Sequence, residues 1–194
     1  MIEQVFQTLA VVREHTDPAA AWKELVDVCR RVHPLCPWND LPSPDFAADV
    51  ELAVPWLIRH LRQYPEASGV YLGLDTLNMR GGRGTNIEIG SSSECDSNLD
   101  SPDWVWDAVL DYGPSHLLRG LVKSQEVYSR PAWAPAFNLC NYVFFLGYAG
   151  IVLTQAMAEL TFPTTMMLVW GFHDGDLFTL GRYRQGSFTK LCAE

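Results

Sequence analysis

From Pro131 to Ala158 the chain runs 28 residues without an Asp, Glu, Lys or Arg. A nearly unbroken apolar stripe passes through Tyr142, Phe145, Ile151 and Leu153. A helix that is apolar all round must be buried, in a protein core or in a bilayer. Asn138, Asn141, Gln155 and two glycines interrupt the stretch, and no lysines flank it to fix a bilayer orientation, so it reads as a core helix near 137–160. Everything else in the chain has to pack around that helix.

The first third carries helical periodicity. Apolar residues recur at Ile2, Val5, Phe6, Leu9 and Val12, then from Trp22 through Leu25, Val26, Cys29 and Val32, then from Phe46 through Val50, Val54, Leu57, Ile58 and Leu61. Asp17-Pro18 and Ser43-Pro44-Asp45 supply capping side chains next to prolines, whose missing N–H is harmless in a first helical turn. Pro55 is expected to kink the third helix. His33 to Pro42, with three prolines, reads as a stiff extended connection.

Beyond residue 65 the period changes. Val70, Leu72 and Leu74 alternate with Tyr71, Gly73 and Asp75, and Ile87 and Ile89 alternate with Asn86, Glu88 and Gly90, which predicts two strands joined by the glycine-rich Thr76 to Gly84. Thr165 to Phe172 and Asp176 to Tyr183 predict a second hairpin turning at Asp174-Gly175. Between the hairpins, Ser91 to Asp100 reads as a polar loop. Ser101-Pro102-Asp103-Trp104 starts a predicted helix to about Tyr112, and another follows Pro114 with Leu117, Leu118, Leu121 and Val122 inward. The expectation is one α+β domain over 1–194, helical over 1–65 and α+β over 66–194. Its mainly antiparallel sheet of about four strands, in two hairpins, packs against helices.

Composition narrows the function. At −9 the net charge repels nucleic-acid phosphates and anionic lipid, so neither nucleic acid nor membrane is an expected partner and a basic protein is. Met1 to Phe6 lacks the positive and continuous apolar regions of a secretory signal. The five scattered cysteines contain no CxxC pair, which suits reduced thiols in a cytoplasm.

Charge is also unevenly placed. No Lys or Arg occurs from Gly84 to Leu118, whereas Glu88, Glu94, Asp96, Asp100, Asp103, Asp107 and Asp111 all do. On the predicted helix Asp103, Asp107 and Asp111 stack four apart, an arrangement costing about 0.2–0.5 kcal/mol per pair, so local stability gives no reason for it and a cationic partner would. Trp104 and Trp106 beside them offer rigid interface surface. Asp96, Asp100, Asp103, Trp104, Trp106, Asp107 and Asp111 are therefore the candidate binding residues for a protein partner.

Other constellations are weaker. Asp96, Asn98, Asp100 and Asp107 imitate calcium-loop spacing, but Ser101 stands where the turn glycine belongs and Pro102 starts a helix too early. Gly81-Gly82-Arg83-Gly84 lacks the Lys-Ser/Thr of a phosphate loop and reads as a hairpin tip. Cys29, His33 and Cys36 lack a fourth zinc ligand. Cys140 with His116 or His173 could form a nucleophilic site only if the fold brings them together, and no nucleophile elbow supports it. No metal or cofactor is expected. The sequence thus predicts a small cytoplasmic acidic binding protein without catalysis, of the immunity-protein kind that neutralises a basic, nuclease-like toxin. The competing readings are a small hydrolase with a His/Cys or His/Asp site, and a structural subunit of a larger assembly.

Overall fold

The computed structural model of this 194-residue chain describes residues 2–75, 86–95, 104–105, 108–112, 118–162, 165–172, 177–184 and 186–190. Among them are five α-helices: α1 (Ile2–Glu14), α2 (Pro18–Val32), α3 (Phe46–Gln63), α4 (Arg119–Tyr128) and α5 (Phe137–Ala158). Six strands complete the fold: β1 (Gly69–Asp75), β2 (Asn86–Ser92), β3 (Val109–Tyr112), β4 (Met166–Phe172), β5 (Leu177–Arg184) and β6 (Ser187–Lys190). The described residues divide into two compact units, one drawn from 2–49 and 118–152, the other from 50–117 and 153–191.

The first unit is helical, and α5 supplies its centre. Val143, Phe144, Phe145, Leu146, Tyr148 and Ala149 are completely buried. Among the described residues α5 is the one helix long and apolar enough to cross a membrane, yet 72 % of its most apolar window lies inside the protein. Gly147 is what lets the helices close up, because a Cβ there would overlap Leu25 of α2 and press on Thr8 of α1. Aromatic side chains fill the remaining space. Trp22 sits 4.7 Å from Phe144 and edge-on to Tyr148, while Phe46 stacks on Tyr148 at 4.9 Å. As the sequence implies, Asp17 caps α2 by accepting from the Ala19 N–H at 3.0 Å, with Pro18 in the first turn.

A buried carboxyl organises the same unit. Leu118, just before α4, has the left-handed backbone (φ 62°) that a branched side chain adopts only under constraint, and it offers no capping group. The cap comes instead from α3. Fully buried Asp49 accepts the Arg119 N–H through Oδ1 (3.0 Å), and the Gly120 N–H (3.0 Å) and the Tyr148 hydroxyl (2.7 Å) through Oδ2. Two first-turn donors of α4 are thus satisfied by a side chain about 70 residues away in sequence, at the helix end that favours a negative group. Gly120 is required because a Cβ there would run into the Tyr148 hydroxyl.

The second unit is built on a mixed sheet in the order β3-β2-β1-β4-β5-β6. β1 and β2 form the expected antiparallel hairpin, with Leu72 opposite Ile89. β4 and β5 form the other, with a bulge between Leu168 and Val169, although its Asp174-Gly175 turn falls outside the described residues. Three features correct the expected sheet. β1 pairs with β4 in parallel, Leu72 opposite Trp170, so the sheet is mixed; the long segment between β2 and β4 makes that crossover possible. Val109–Tyr112, expected as the end of a helix, is strand β3, paired antiparallel with β2. The four-residue acidic spacing had suggested a helix, but pairing with an exposed strand edge overrode it. Finally, β6 pairs with β5; its side chains are only partly buried, so it carries no apolar alternation to reveal it.

Tyr183 ties the end of α5 to β5. Its hydroxyl donates to the Leu160 carbonyl at 2.5 Å and accepts the Phe162 N–H at 2.7 Å. β4, buried along its whole length, forms the middle of the hydrophobic layer.

Replacing Asp49 by Ala leaves two amide donors and a tyrosine hydroxyl buried without an acceptor, and is expected to cost about 3 kcal/mol or more. Tyr148→Phe removes one bond to the same carboxyl and is expected to cost about 1.5–3 kcal/mol. Urea unfolding midpoints measure both, and a neutral Asp49→Ala would contradict the capping role.

Candidate functional site

Strand β2 sorts its side chains to two faces. Ile87, Ile89 and Ser91, all nearly buried, share the face that α3 covers; Glu88, Gly90 and Ser92 point the other way. On the α3 side, His60 is completely buried and its Nε2 lies 2.8 Å from the Ser91 Oγ, while its ring lies 4.9 Å from that of Tyr64.

Just past this pair α3 ends and the sheet loses its cover. The chain turns at Tyr64–Ala67, held by the Tyr64 N–H to the His60 carbonyl (3.3 Å) and the Ala67 N–H to the Tyr64 carbonyl (3.1 Å). Ser68 then binds the far wall, its N–H on the Ser92 carbonyl and its hydroxyl on the Cys95 carbonyl, both at 2.9 Å. The Ser92 hydroxyl accepts the Glu94 N–H at 3.0 Å and so shapes the next turn. Between these walls opens a cavity of about 540 Å³ lined by Tyr64, Glu66, Ala67, Ser91, Ser92, Ser93, Glu94 and Val109. Glu66, Ser93 and Glu94 are exposed, and among the described residues no lysine or arginine lines the cavity.

β3 borders the cavity. Val109 pairs with Ser91 and shares its face, but no described helix covers it there, and it is 52 % exposed. Its neighbour Leu110, on the opposite face, is 40 % exposed and leans on Gly90, where a Cβ would come within 2.9 Å of it. An open cleft with two carboxylates, several hydroxyls and an uncovered apolar side chain has the chemistry to hold a cationic, partly apolar segment.

The residues expected to bind a partner are distributed differently. Asp96, Asp100, Asp103, Trp106 and Asp107, and with them the calcium-like spacing, lie outside the described residues. Asp111 lies on strand β3 opposite Ile89, so the expected helical stack of Asp103, Asp107 and Asp111 does not extend to it. Trp104 is 9 % exposed and packs with Tyr71, Cys95, Val105, Met167 and Val169. Gly69 makes room for it, since a Cβ there would meet Cys95 at 2.6 Å and the indole at 2.8 Å. Glu88, counted in the acidic stretch, is 2 % exposed and folds over Gly73 on the Tyr71 side of the sheet, so it belongs to the interior. Among the described residues of the acidic stretch, Glu94 lines the cleft, joined by Glu66 from outside the stretch.

His60, Ser91 and Glu66 escaped sequence reasoning. His60 sits among the apolar residues of a helical stripe and Ser91 opens a polar run, and only the register of β2 beneath α3 reveals that they meet. His116 and His173 lie outside the described residues. Cys140 is fully buried in the helical unit, hydrogen-bonded with Cys29, which is also fully buried. That bond, then burial, then the neighbouring Cys140 charge hold the Cys29 thiol well above its ordinary 9.0. Burial likewise pushes the Tyr128 hydroxyl up, helped by both thiols, and pushes Tyr148 up together with its bond to Asp49. Cys29, Tyr128 and Tyr148 are thus protonated core groups. Among the described residues no group of three or more His, Cys, Asp or Glu side chains is placed to hold a metal.

With this geometry in hand, a scan against protein-family models and searches of curated proteins and of solved structures found no match.

Alkaline titration checks the buried acids. A group whose pKa is raised on folding leaves stability unchanged below its unfolded value and withdraws it as the unfolded chain ionises. For Cys29, Tyr128 and Tyr148 that loss begins near their ordinary values of 9.0 and 10.0. The melting temperature is expected to fall steeply above about pH 9, and Cys29→Ala to make the fall shallower. A flat profile from pH 7 to 11 would show that these groups ionise freely in the fold.

Proposed function

We propose that this chain is a small acidic binding protein that captures a basic protein partner through the cleft at Glu66 and Glu94. The observation that carries the reading is the cleft's lining: among the described residues it holds two exposed carboxylates and no lysine or arginine, with the exposed Val109 beside them. A net charge of −9 adds long-range attraction for a cation, and carboxylates at the contact steer its approach. Neutralising a cationic, nuclease-like toxin in the cytoplasm, as an immunity protein does, is the most specific form of this proposal. With Trp104 buried, Val109 and Leu110 supply the exposed apolar surface in this reading; Trp106 lies outside the described residues.

A hydrolase is the second reading, and one contact favours it: the Ser91 hydroxyl, at the cavity wall, lies 2.8 Å from His60 Nε2, within reach for proton transfer from a nucleophilic serine. The two readings separate cleanly. For the binder, the immobilised chain is expected to retain a basic protein from a native-host extract at low salt. Glu66→Gln with Glu94→Gln is expected to weaken retention at least tenfold with an unchanged circular dichroism spectrum, and physiological salt to slow association. Equal retention by the double variant would remove the binding reading. For the hydrolase, a fluorophosphonate probe would label Ser91 in the wild type and not in Ser91→Ala or His60→Ala; an unlabelled wild type ends that reading.

A further inference from the structure

We infer that the partner is bound as an added β-strand: an extended basic segment that pairs with the open edge of β3 and sends alternate side chains into the Glu66–Glu94 cleft. The inference rests on the binding reading above and specifies the partner's form.

Three observations lead to it. Among the described strands β3 has a single neighbour, β2, so no described strand pairs with its second row of backbone donors and acceptors. Successive residues of a strand point to opposite faces, and Val109 and Leu110, one on each, are 52 % and 40 % exposed, so neither side chain is buried under another element. The cleft also reaches the Val109 face, because the paired residues Val109 and Ser91 both line it.

An added strand lies about 4.8 Å from β3 and continues the pleat, so every second side chain projects on the Val109 face. Those side chains meet Val109 first, and the ends of lysine or arginine reach the carboxylates beyond it, while the intervening side chains rest on Leu110. Backbone pairing supplies affinity, and the alternating pockets supply selectivity for a basic, apolar-stemmed residue at every second position. An acidic segment is repelled by the same lining. β3 is four residues long, so the paired segment is correspondingly short and its affinity leans on the charge contacts.

The test uses a fluorescein-labelled ten-residue peptide of alternating lysine and valine, followed by anisotropy against the full chain. Two further peptides carry N-methyl groups on the lysine amides or on the valine amides. Strand addition uses the amides of one set only, so one methylated peptide is expected to lose at least tenfold in affinity and the other to stay within about threefold. Hydrogen exchange on binding is expected to slow at alternate residues of Val109–Tyr112. If both methylated peptides bind as well as the parent, and Glu66→Gln with Glu94→Gln still weakens all three, the acidic cleft stands and strand addition is refuted. If the parent peptide fails to bind, or binds the double variant equally well, the binding reading falls and the inference falls with it.

Discussion

The register between β1 and β2 decides what the cleft is made of. With Gly69 opposite Ser92 and Leu72 opposite Ile89, Ser91 meets His60 beneath α3, and Glu88 goes to the other face beside Tyr71. A slip of one residue would exchange every side chain between faces, placing Glu88 under the apolar helix and removing Ser91 from its histidine. The register is therefore held by the Ser91–His60 contact and by the buried apolar face of Ile87 and Ile89, both of which the slip would lose. Gly69, Gly73 and Gly90 reinforce it, because each accepts a neighbouring side chain where a Cβ would collide.

The helical unit is held by a different economy of polar groups. α5 contributes no charge, so the one buried carboxyl nearby, Asp49, is free of competing ion pairs with that helix and gathers two backbone donors and a hydroxyl. That arrangement fixes where α4 begins, and the left-handed Leu118 follows from it. Tyr148 takes part in both systems, its ring in the aromatic cluster with Trp22 and Phe46 and its hydroxyl on Asp49. A single side chain thus couples apolar packing to polar satisfaction.

How much of this was legible in the chain depended on the range of the interaction. Helices α1, α2, α3 and α5 and strands β1, β2, β4 and β5 announce themselves through local periodicity and caps such as Asp17-Pro18. β3 did not, because the regular spacing of Asp103, Asp107 and Asp111 imitates one helix face, while four residues are too few for alternation to compete. The parallel pairing of β1 with β4 is a long-range choice with no local mark. The site was the least legible part. Acidity drew attention to the stretch that contains Glu94, without singling that residue out, and Glu66, His60 and Ser91 come from segments whose meeting depends on where α3 stops over the sheet. Trp104 looked like an interface anchor because a large aromatic in a polar run resembles one, and Gly69 had already made an interior place for it.

The uncovered edge of β3 has one more consequence, for how molecules of this protein treat each other. Two copies could zip together there, as bare strand edges with valine and leucine side chains tend to do. Each copy, however, presents the same negative border, and bringing two such borders into register sets like charges side by side. On the binding reading proposed above, the acidity that attracts a cationic segment would also oppose edge-to-edge pairing of identical chains.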